Sequence, residues 1–172
     1  MNLLDLPHQL DRKALTCRAI IETPKGRQGK FDYDPKSGLF ELAGILPTGM
    51  SFPLAFGFIP GTLGGDGDPI DVLVLAEEDL PIGCLLPVRL LGVIEARQTE
   101  GNSTVRNDRI IAKASASRLF AGVDGIADLG EPFSAELARF FEVYNSLKDH
   151  HFEVLAIADA ERAAKLIAEG SR

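Results

Sequence analysis

Three aspartates stand within six residues of one another, immediately before an apolar run, in "GGDGDPIDVLVLA" from Gly64 to Ala76. Unit charges about 4 Å apart repel by about 4 kcal/mol at an effective dielectric constant of about 20, so convergence of these carboxylates would require a cation. Hard divalent ions such as Mg²⁺ or Mn²⁺ prefer oxygen ligands of this kind. The pattern predicts a metal site at Asp66, Asp68 and Asp71, with an ordinary acidic turn as the alternative.

Two other possible metal sites are weaker. Asp66, Asp68 and Glu77 fall at positions 1, 3 and 12 of an EF-hand calcium loop. That loop needs glycine at position 6, where this chain has Asp71, and the Val and Leu residues that follow suit a buried strand better. His150 and His151 are adjacent in a polar turn, a pattern more typical of solvated side chains than of metal ligands.

Composition limits the classes of function. The chain has 172 residues, of which 45% are hydrophobic, enough for a single domain over residues 1–172. A formal net charge of -7 argues against binding to nucleic acid or to an anionic membrane. No apolar run approaches the roughly 18 residues of a membrane span, and the start lacks the order of a signal peptide. We expect a soluble, cytoplasmic protein.

The elements that must position the aspartates are mostly strands. Short apolar runs separated by turn residues predict them: "CRAIIETP", "KFDYDPKSGLFEL", "FPLAFGFIPG", "PIDVLVLA", "LLPVRLLGVIEA" and "RIIAKA". The turn "PKSG" predicts a hairpin over residues 30–42, and "RQTEGNSTVRND" is interpreted as a long loop. Strands first and helices late indicate a β-rich α+β domain, a small barrel or curled sheet with helices packed outside.

Two helices are predicted near the end of the chain. The first covers Phe133 to Lys148, where apolar residues recur on one face, with Ser134 as its N-cap. The second begins near Asp159 and ends at Gly170.

At this point the residues carry a family resemblance. "DGDPIDVLVL" resembles the signature of the soluble inorganic pyrophosphatase family: Asp, a small residue, Asp, Pro, an apolar residue, Asp, an apolar residue. "IETPKGRQGKFDYDPKSGLF", "GVIEA" and "FFEVYNSLK" resemble further blocks of that family in the right order, over roughly residues 18–155. The resemblance implies a five-stranded OB-like barrel with C-terminal helices outside, Mg²⁺-dependent hydrolysis of pyrophosphate to two phosphates, and a homo-oligomer, often a hexamer in bacteria.

The resemblance also implies roles for individual acidic residues. Asp66 and Asp71 match metal ligands of the family, and Asp68 matches the carboxylate that takes the proton from the attacking water. Glu22 matches an acidic position of the motif, and Asp32 stands where the family usually has glutamate. Apart from Asp68, these four acidic residues are candidate ligands for Mg²⁺, with Mn²⁺ as the other candidate ion.

The resemblance also implies which residues contact the substrate. Lys30, Arg109 and Tyr144 match phosphate-contacting residues. Asn107 falls at a metal-binding position, although a shift of one residue in the alignment would bring Asp108 there; alternation of strand side chains favours Asn107 on the side of Arg109. Without the resemblance, Tyr144 would be interpreted as a core residue of its helix.

The chain departs from the family at one part of the site. Gly44 replaces an arginine, Gln98 replaces a metal-binding aspartate, and Asn145 replaces a lysine. The aromatic hydroxyl expected in "FPLAFGF" is absent. Arg97, Arg106 and Lys113 are close enough in sequence to be considered as substitute cations.

Two functional hypotheses are compatible with these residues. The first is a pyrophosphatase that works with a reduced set of metal ligands. The alternative is a catalytically degenerate or differently specific paralogue that binds another phosphate compound or acts structurally.

Overall fold

The computed structural model describes residues 2–172, and a seven-stranded mixed sheet is its main element. The strands of the described chain are β1 (Thr16–Thr23), β2 (Gly29–Asp34), β3 (Leu39–Ile45), β4 (Ala55–Phe58), β5 (Asp71–Leu75), β6 (Leu85–Glu100), β7 (Ser103–Arg106), β8 (Arg109–Ala114) and β9 (His151–Asp159). The helices are α1 (Glu131–Ser146) and α2 (Ala160–Glu169). No helix among the described residues is long and apolar enough to cross a membrane.

Five of these strands pair in a closed ring. β1 pairs with β4, β4 with β5, β5 with β8, β8 with β6, and β6 returns to β1. Their apolar side chains fill the interior, where Val72, Val88 and Ile110 are completely buried. Helix α2 packs against this same cluster of side chains, and helix α1 packs against a second cluster on the other face of the strands. The predicted five-stranded, OB-like architecture is thus confirmed.

Strand β6 is longer than the sequence pattern indicates. Its second half leaves the ring and pairs with β7 on one side and β9 on the other. The interpretation of "RQTEGNSTVRND" as a loop is therefore wrong, because most of it forms the β6–β7 hairpin, which turns at Gly101 with a φ of 55°. The sequence pattern does not predict strand β9, because apolar residues on its outer side leave no clear alternation of apolar and polar residues.

A separate two-stranded sheet is formed by β2 and β3, which confirms the predicted hairpin. In this hairpin Lys30 pairs with Gly44 and Tyr33 with Phe40. Lys30 and Asp32 share a face of β2, because strand side chains alternate.

The two helices differ in how well their starts were predicted. Ser134 is not the N-cap of α1: Gly130 precedes the helix, Pro132 lies in its first turn, and Ser134 is buried one turn further on. Proline favours a helix start because its fixed φ and missing N–H suit the first turn. The start of α2 is confirmed, since the Asp159 carboxylate accepts a hydrogen bond from the backbone N of Arg162 at 2.9 Å.

Glu77, at the end of β5, stabilises a turn far away in sequence. Its carboxylate accepts hydrogen bonds from Ser117 Oγ at 2.5 Å and from the backbone N of Arg118 at 2.7 Å. These bonds lower the pKa of Glu77 to about 2.

We expect Glu77→Ala to lower the melting temperature by a few degrees at pH 7. A carboxyl whose pKa is lowered by folding contributes its stability above its unfolded value of about 4.5, and loses it as the pH falls towards 2. The difference between variant and parent in calorimetric scans should therefore shrink below pH 4.5. Glu78→Ala is the control, and an equal effect there would contradict the assignment.

Candidate active site

A cavity of about 670 Å³ opens where β5 and β8 begin, beside the β2–β3 hairpin and the last turn of α1. It collects every candidate site residue of the sequence analysis: Glu22, Lys30, Asp32, Asp66, Asp68, Asp71, Asn107, Arg109 and Tyr144. Residues that are far apart in the chain thus share one cavity, although their roles remain predictions.

The parallel pairing of β5 and β8 places an acid beside a base. Asp71 and Arg109 are the first residues of these strands and are register partners. The Arg109 guanidinium forms an ion pair with Asp71 and is only 4% exposed. It lies over the rings of Phe56, Phe141 and Phe152, with centroid distances of 5.9, 5.1 and 5.6 Å. Aromatic faces attract a cation, so these rings hold the guanidinium at the cavity wall.

Asp66 and Asp68 lie on a tight turn before β5. The backbone N of Gly64 donates to the carbonyl of Asp68 at 2.6 Å, and Asp66 Oδ1 accepts from the backbone N of Asp68 at 3.1 Å. Gly67 has a φ of 93°, which a residue with a side chain rarely adopts. Partial desolvation raises the pKa of Asp68, and the charges of Asp66 and Asp32 raise it further.

Glu22 and Lys30 approach the same cavity from β1 and β2. Glu22 is 8% exposed, and its carboxylate accepts a hydrogen bond from the backbone N of Tyr33 at 2.8 Å. Burial raises the pKa of Glu22 to about 7, although Lys30 counteracts it. Burial would also lower the pKa of Lys30, but Asp32, its ion-pair partner, and Glu22 outweigh that effect and raise it.

The raised pKa of Glu22 gives a pH-dependent prediction for the metal-free protein. An acid whose pKa is raised by folding stabilises the protein below its unfolded value of about 4.5 and loses that contribution as the pH rises through about 7. In the presence of a chelator, Glu22→Gln should therefore melt several degrees above the parent at pH 8, corresponding to ~3 kcal/mol.

That gain should shrink steadily as the pH is lowered to 4.5. Melting curves of parent and variant across this range provide the measurement, with Glu41→Gln on the exposed face of β3 as the control. A gain that is independent of pH would contradict the prediction.

Amide and imidazole side chains line another part of the cavity, which we call the amide end: Gln98, Asn107, Asn145 and His150. Asn107 Nδ2 donates to Gln98 Oε1 at 2.9 Å, and Gln98 Nε2 lies 3.1 Å from His150 Nδ1. His150 lies in the turn before β9, as expected, but its side chain is only partly exposed. Only the pairing of β9 with β6 brings it beside Gln98, and no local pattern indicates that pairing.

Asn107 and Asp108 face in different directions. Asn107 lines the cavity and accepts a hydrogen bond from Arg109. The Asp108 carboxylate instead accepts from the backbone N of Ala96 at 2.9 Å and from Arg106 Nη2 at 2.8 Å. This placement agrees with the expected alternation of side chains.

Two further positions, Gly44 and Tyr144, differ in what they contribute to the site. A Cβ added at Gly44 would meet nothing within 4 Å, so a side chain could start there, but glycine supplies none. Tyr144 is 8% exposed, and its ring packs on Phe52 and Phe140 at centroid distances of 5.8 and 6.0 Å. It is therefore both a core residue and a cavity-lining residue.

The donor set fits a hard divalent cation by its chemistry, because Glu22, Asp32, Asp66, Asp68 and Asp71 offer only oxygen atoms to one cavity. Over residues 2–172, however, no group of three or more acidic, histidine or cysteine side chains is already gathered as a metal site. Asp32 and Asp71 are held by Lys30 and Arg109 instead. Each ion pair uses one oxygen of its carboxylate, so the second oxygen of Asp32 and of Asp71 is the atom that could bind a metal ion.

Comparisons with known proteins agree on a family. The family model described as inorganic pyrophosphatase matches residues 19–172. The inorganic pyrophosphatase of Halalkalibacterium halodurans is 37% identical over 151 residues, covering 88% of this chain and 90% of that protein. That of Gluconobacter oxydans is 34% identical over 170 residues, covering 96% and 91%.

Solved structures give the same result. The crystal structure of inorganic pyrophosphatase from Thermus thermophilus superposes with a TM-score of 0.88 at 30% identity, covering 98% of this chain and 95% of that one. The chain therefore belongs to the inorganic pyrophosphatase family.

Proposed function

We propose that this protein hydrolyses inorganic pyrophosphate to two phosphate ions. The observation that carries the proposal is the convergence of five carboxylates with Lys30 and Arg109 on one cavity. Such a combination suits phosphoryl transfer, where catalysis consists mostly of positioning and of stabilising charge. Family membership over nearly the whole chain supports it.

We assign the proton transfer to Asp68. Its carboxylate is exposed to the cavity, and its raised pKa makes it a better base than an ordinary aspartate. It would accept a proton from the attacking water, whose oxygen forms the new bond to phosphorus while the bridging oxygen leaves with the other phosphate. Lys30, Arg109 and Tyr144 would bind the phosphoryl oxygens.

Asp66, Asp71, Glu22, Asp32 and Asn107 would hold Mg²⁺, or Mn²⁺ in its place. A divalent ion bound there supplies Lewis acidity that lowers the pKa of water and offsets the charge of the leaving phosphate. Asn107 contributes a neutral oxygen where a carboxylate would be the stronger ligand, so we expect fewer or weaker ions than a fully acidic site binds.

The uncharged side chains of the amide end favour one alternative to pyrophosphate hydrolysis. Gln98 and Asn145 line the cavity without charge, and Gly44 has no side chain, as expected for a paralogue that binds another phosphate compound without hydrolysing pyrophosphate.

Phosphate release from pyrophosphate by the purified protein, titrated with Mg²⁺ and Mn²⁺ and repeated with excess chelator, separates the two functions. We expect metal-dependent turnover that the chelator abolishes. Absence of turnover at every metal concentration would favour the paralogue.

We further infer a single domain over residues 1–172 that assembles as a homo-oligomer. Leu155 and Ile157 on the outer strand β9 are 43% and 45% exposed, which an interface between copies would cover. Light scattering of the purified protein tests this; a monomer at micromolar concentration would contradict it.

A further inference from the structure

Among residues 2–172, one cation that lines the cavity has no ion-pair partner. Lys148 lies just beyond α1, is exposed, and lines the cavity, with its Nζ 4.6 Å from the centre of the Tyr144 ring. The other cavity-lining bases are occupied: Lys30 by Asp32, Arg109 by Asp71, and His150 lies 3.4 Å from a carboxylate oxygen of Glu100. Among the described residues, Lys148 forms no ion pair within 4.0 Å.

The cations that sequence proximity suggests as substitutes are engaged elsewhere. Arg97 Nε lies 2.6 Å from Glu153, and Arg106 Nη2 lies 2.9 Å from Glu95. Lys113 donates to two backbone carbonyls beyond the end of β8. None of the three lines the cavity.

The groups around Lys148 are suited to an anion. The amide end presents amide and imidazole groups, and Tyr144, whose ring centre lies 4.6 Å from Lys148 Nζ, also lines the cavity. Each amide nitrogen there makes one hydrogen bond within the protein, which leaves its second N–H to bind a phosphate oxygen, whereas Mg²⁺ prefers carboxylates. A flexible ammonium group beside them supplies the charge that a phosphoryl group needs.

We propose, building on the function proposed above, that Lys148 is a substrate-contacting residue that binds a phosphoryl group of pyrophosphate at the amide end. It supplies from the turn after α1 the positive charge that Asn145, within the helix, does not carry. The competing explanation is that Lys148 only offsets the partial negative charge at the end of α1. That role would affect stability and leave ligand affinity unchanged.

The test combines equilibrium binding with kinetics in Lys148→Gln, Lys148→Arg and the control Lys165→Gln, which removes an exposed charge from α2. Isothermal titration with methylenediphosphonate, a non-hydrolysable diphosphonate, gives Kd in Mg²⁺. We expect Lys148→Gln to weaken binding about tenfold and to raise KM for pyrophosphate similarly, with a smaller change in kcat. Lys148→Arg should stay within about threefold of the parent, and Lys165→Gln should match it.

Equal Kd and KM in Lys148→Gln and the parent, in a protein that turns over pyrophosphate, would overturn this inference and leave the proposed function standing. If the parent binds methylenediphosphonate without releasing phosphate from pyrophosphate, and Lys148→Gln still weakens that binding, the proposed activity falls while the contact stands. If the parent protein does not bind methylenediphosphonate, the proposed contact of Lys148 with a phosphoryl group is wrong.

Discussion

Asp68→Ala is expected to lower kcat for pyrophosphate hydrolysis by about 10²- to 10⁴-fold, the usual contribution of a positioned general base. The melting temperature should change by no more than about 1 °C. The carboxylate is exposed and its removal leaves no cavity in the core, so the change acts on chemistry rather than on folding. Phosphate release under saturating Mg²⁺, together with a calorimetric scan, provides the measurement.

Asp79→Ala is a suitable control because that aspartate is also exposed but lies in the turn after β5, away from the cavity. Asp68→Asn adds a shape-conserving variant. If either variant at position 68 keeps the parent turnover, the proton must be taken by another group, and Glu22 would be the next to test.

Arg109→Met is expected to reduce turnover by about 10³-fold or more and to destabilise the protein at the same time. A well-placed arginine can contribute 10³ to 10⁵ to phosphoryl transfer. Loss of the guanidinium also leaves Asp71 largely buried without its ion-pair partner, which costs ~3 kcal/mol. Burial already raises the pKa of Asp71 to about 6 even though Arg109 counteracts it, so the lone carboxylate would titrate higher still.

A double variant separates the two effects. Arg109→Met with Asp71→Asn removes the unpaired charge and should recover most of the lost stability at pH 8, while turnover stays low. Chemical denaturation gives the free energy of unfolding for both variants. Recovery of turnover in the double variant would contradict the role of Arg109 in binding the phosphoryl group.

The acidic part of the site was accessible to sequence reasoning because its residues lie in short segments with strong local signals. Asp66, Asp68 and Asp71 form one motif, and a bend before an apolar strand predicts that they converge. Glu22 and Lys30 entered through the family resemblance, since nothing in their own neighbourhoods separates a ligand from an ordinary strand residue.

The amide end was not accessible in the same way. His150 reaches Gln98 only because the second half of β6 continues past the barrel and pairs with β9. Strand β9 carries apolar residues on its outer side, so it lacks the alternation by which half-buried strands are found. Lys148 gives no local signal either: sequence proximity favours Arg97, Arg106 and Lys113 on β6, β7 and β8, whose side chains form ion pairs or cap a turn outside the cavity.

The parallel pairing of β5 with β8 also constrains how the protein can fold. Parallel neighbours cannot be joined by a tight turn, and here the connection contains all of β6 and β7. Asp71 and Arg109 therefore meet only after the chain has closed a long loop, which is a slow, non-local event. In a refolding chain, the α-helical signal can return early, but hydrolysis cannot return before this strand pair has formed.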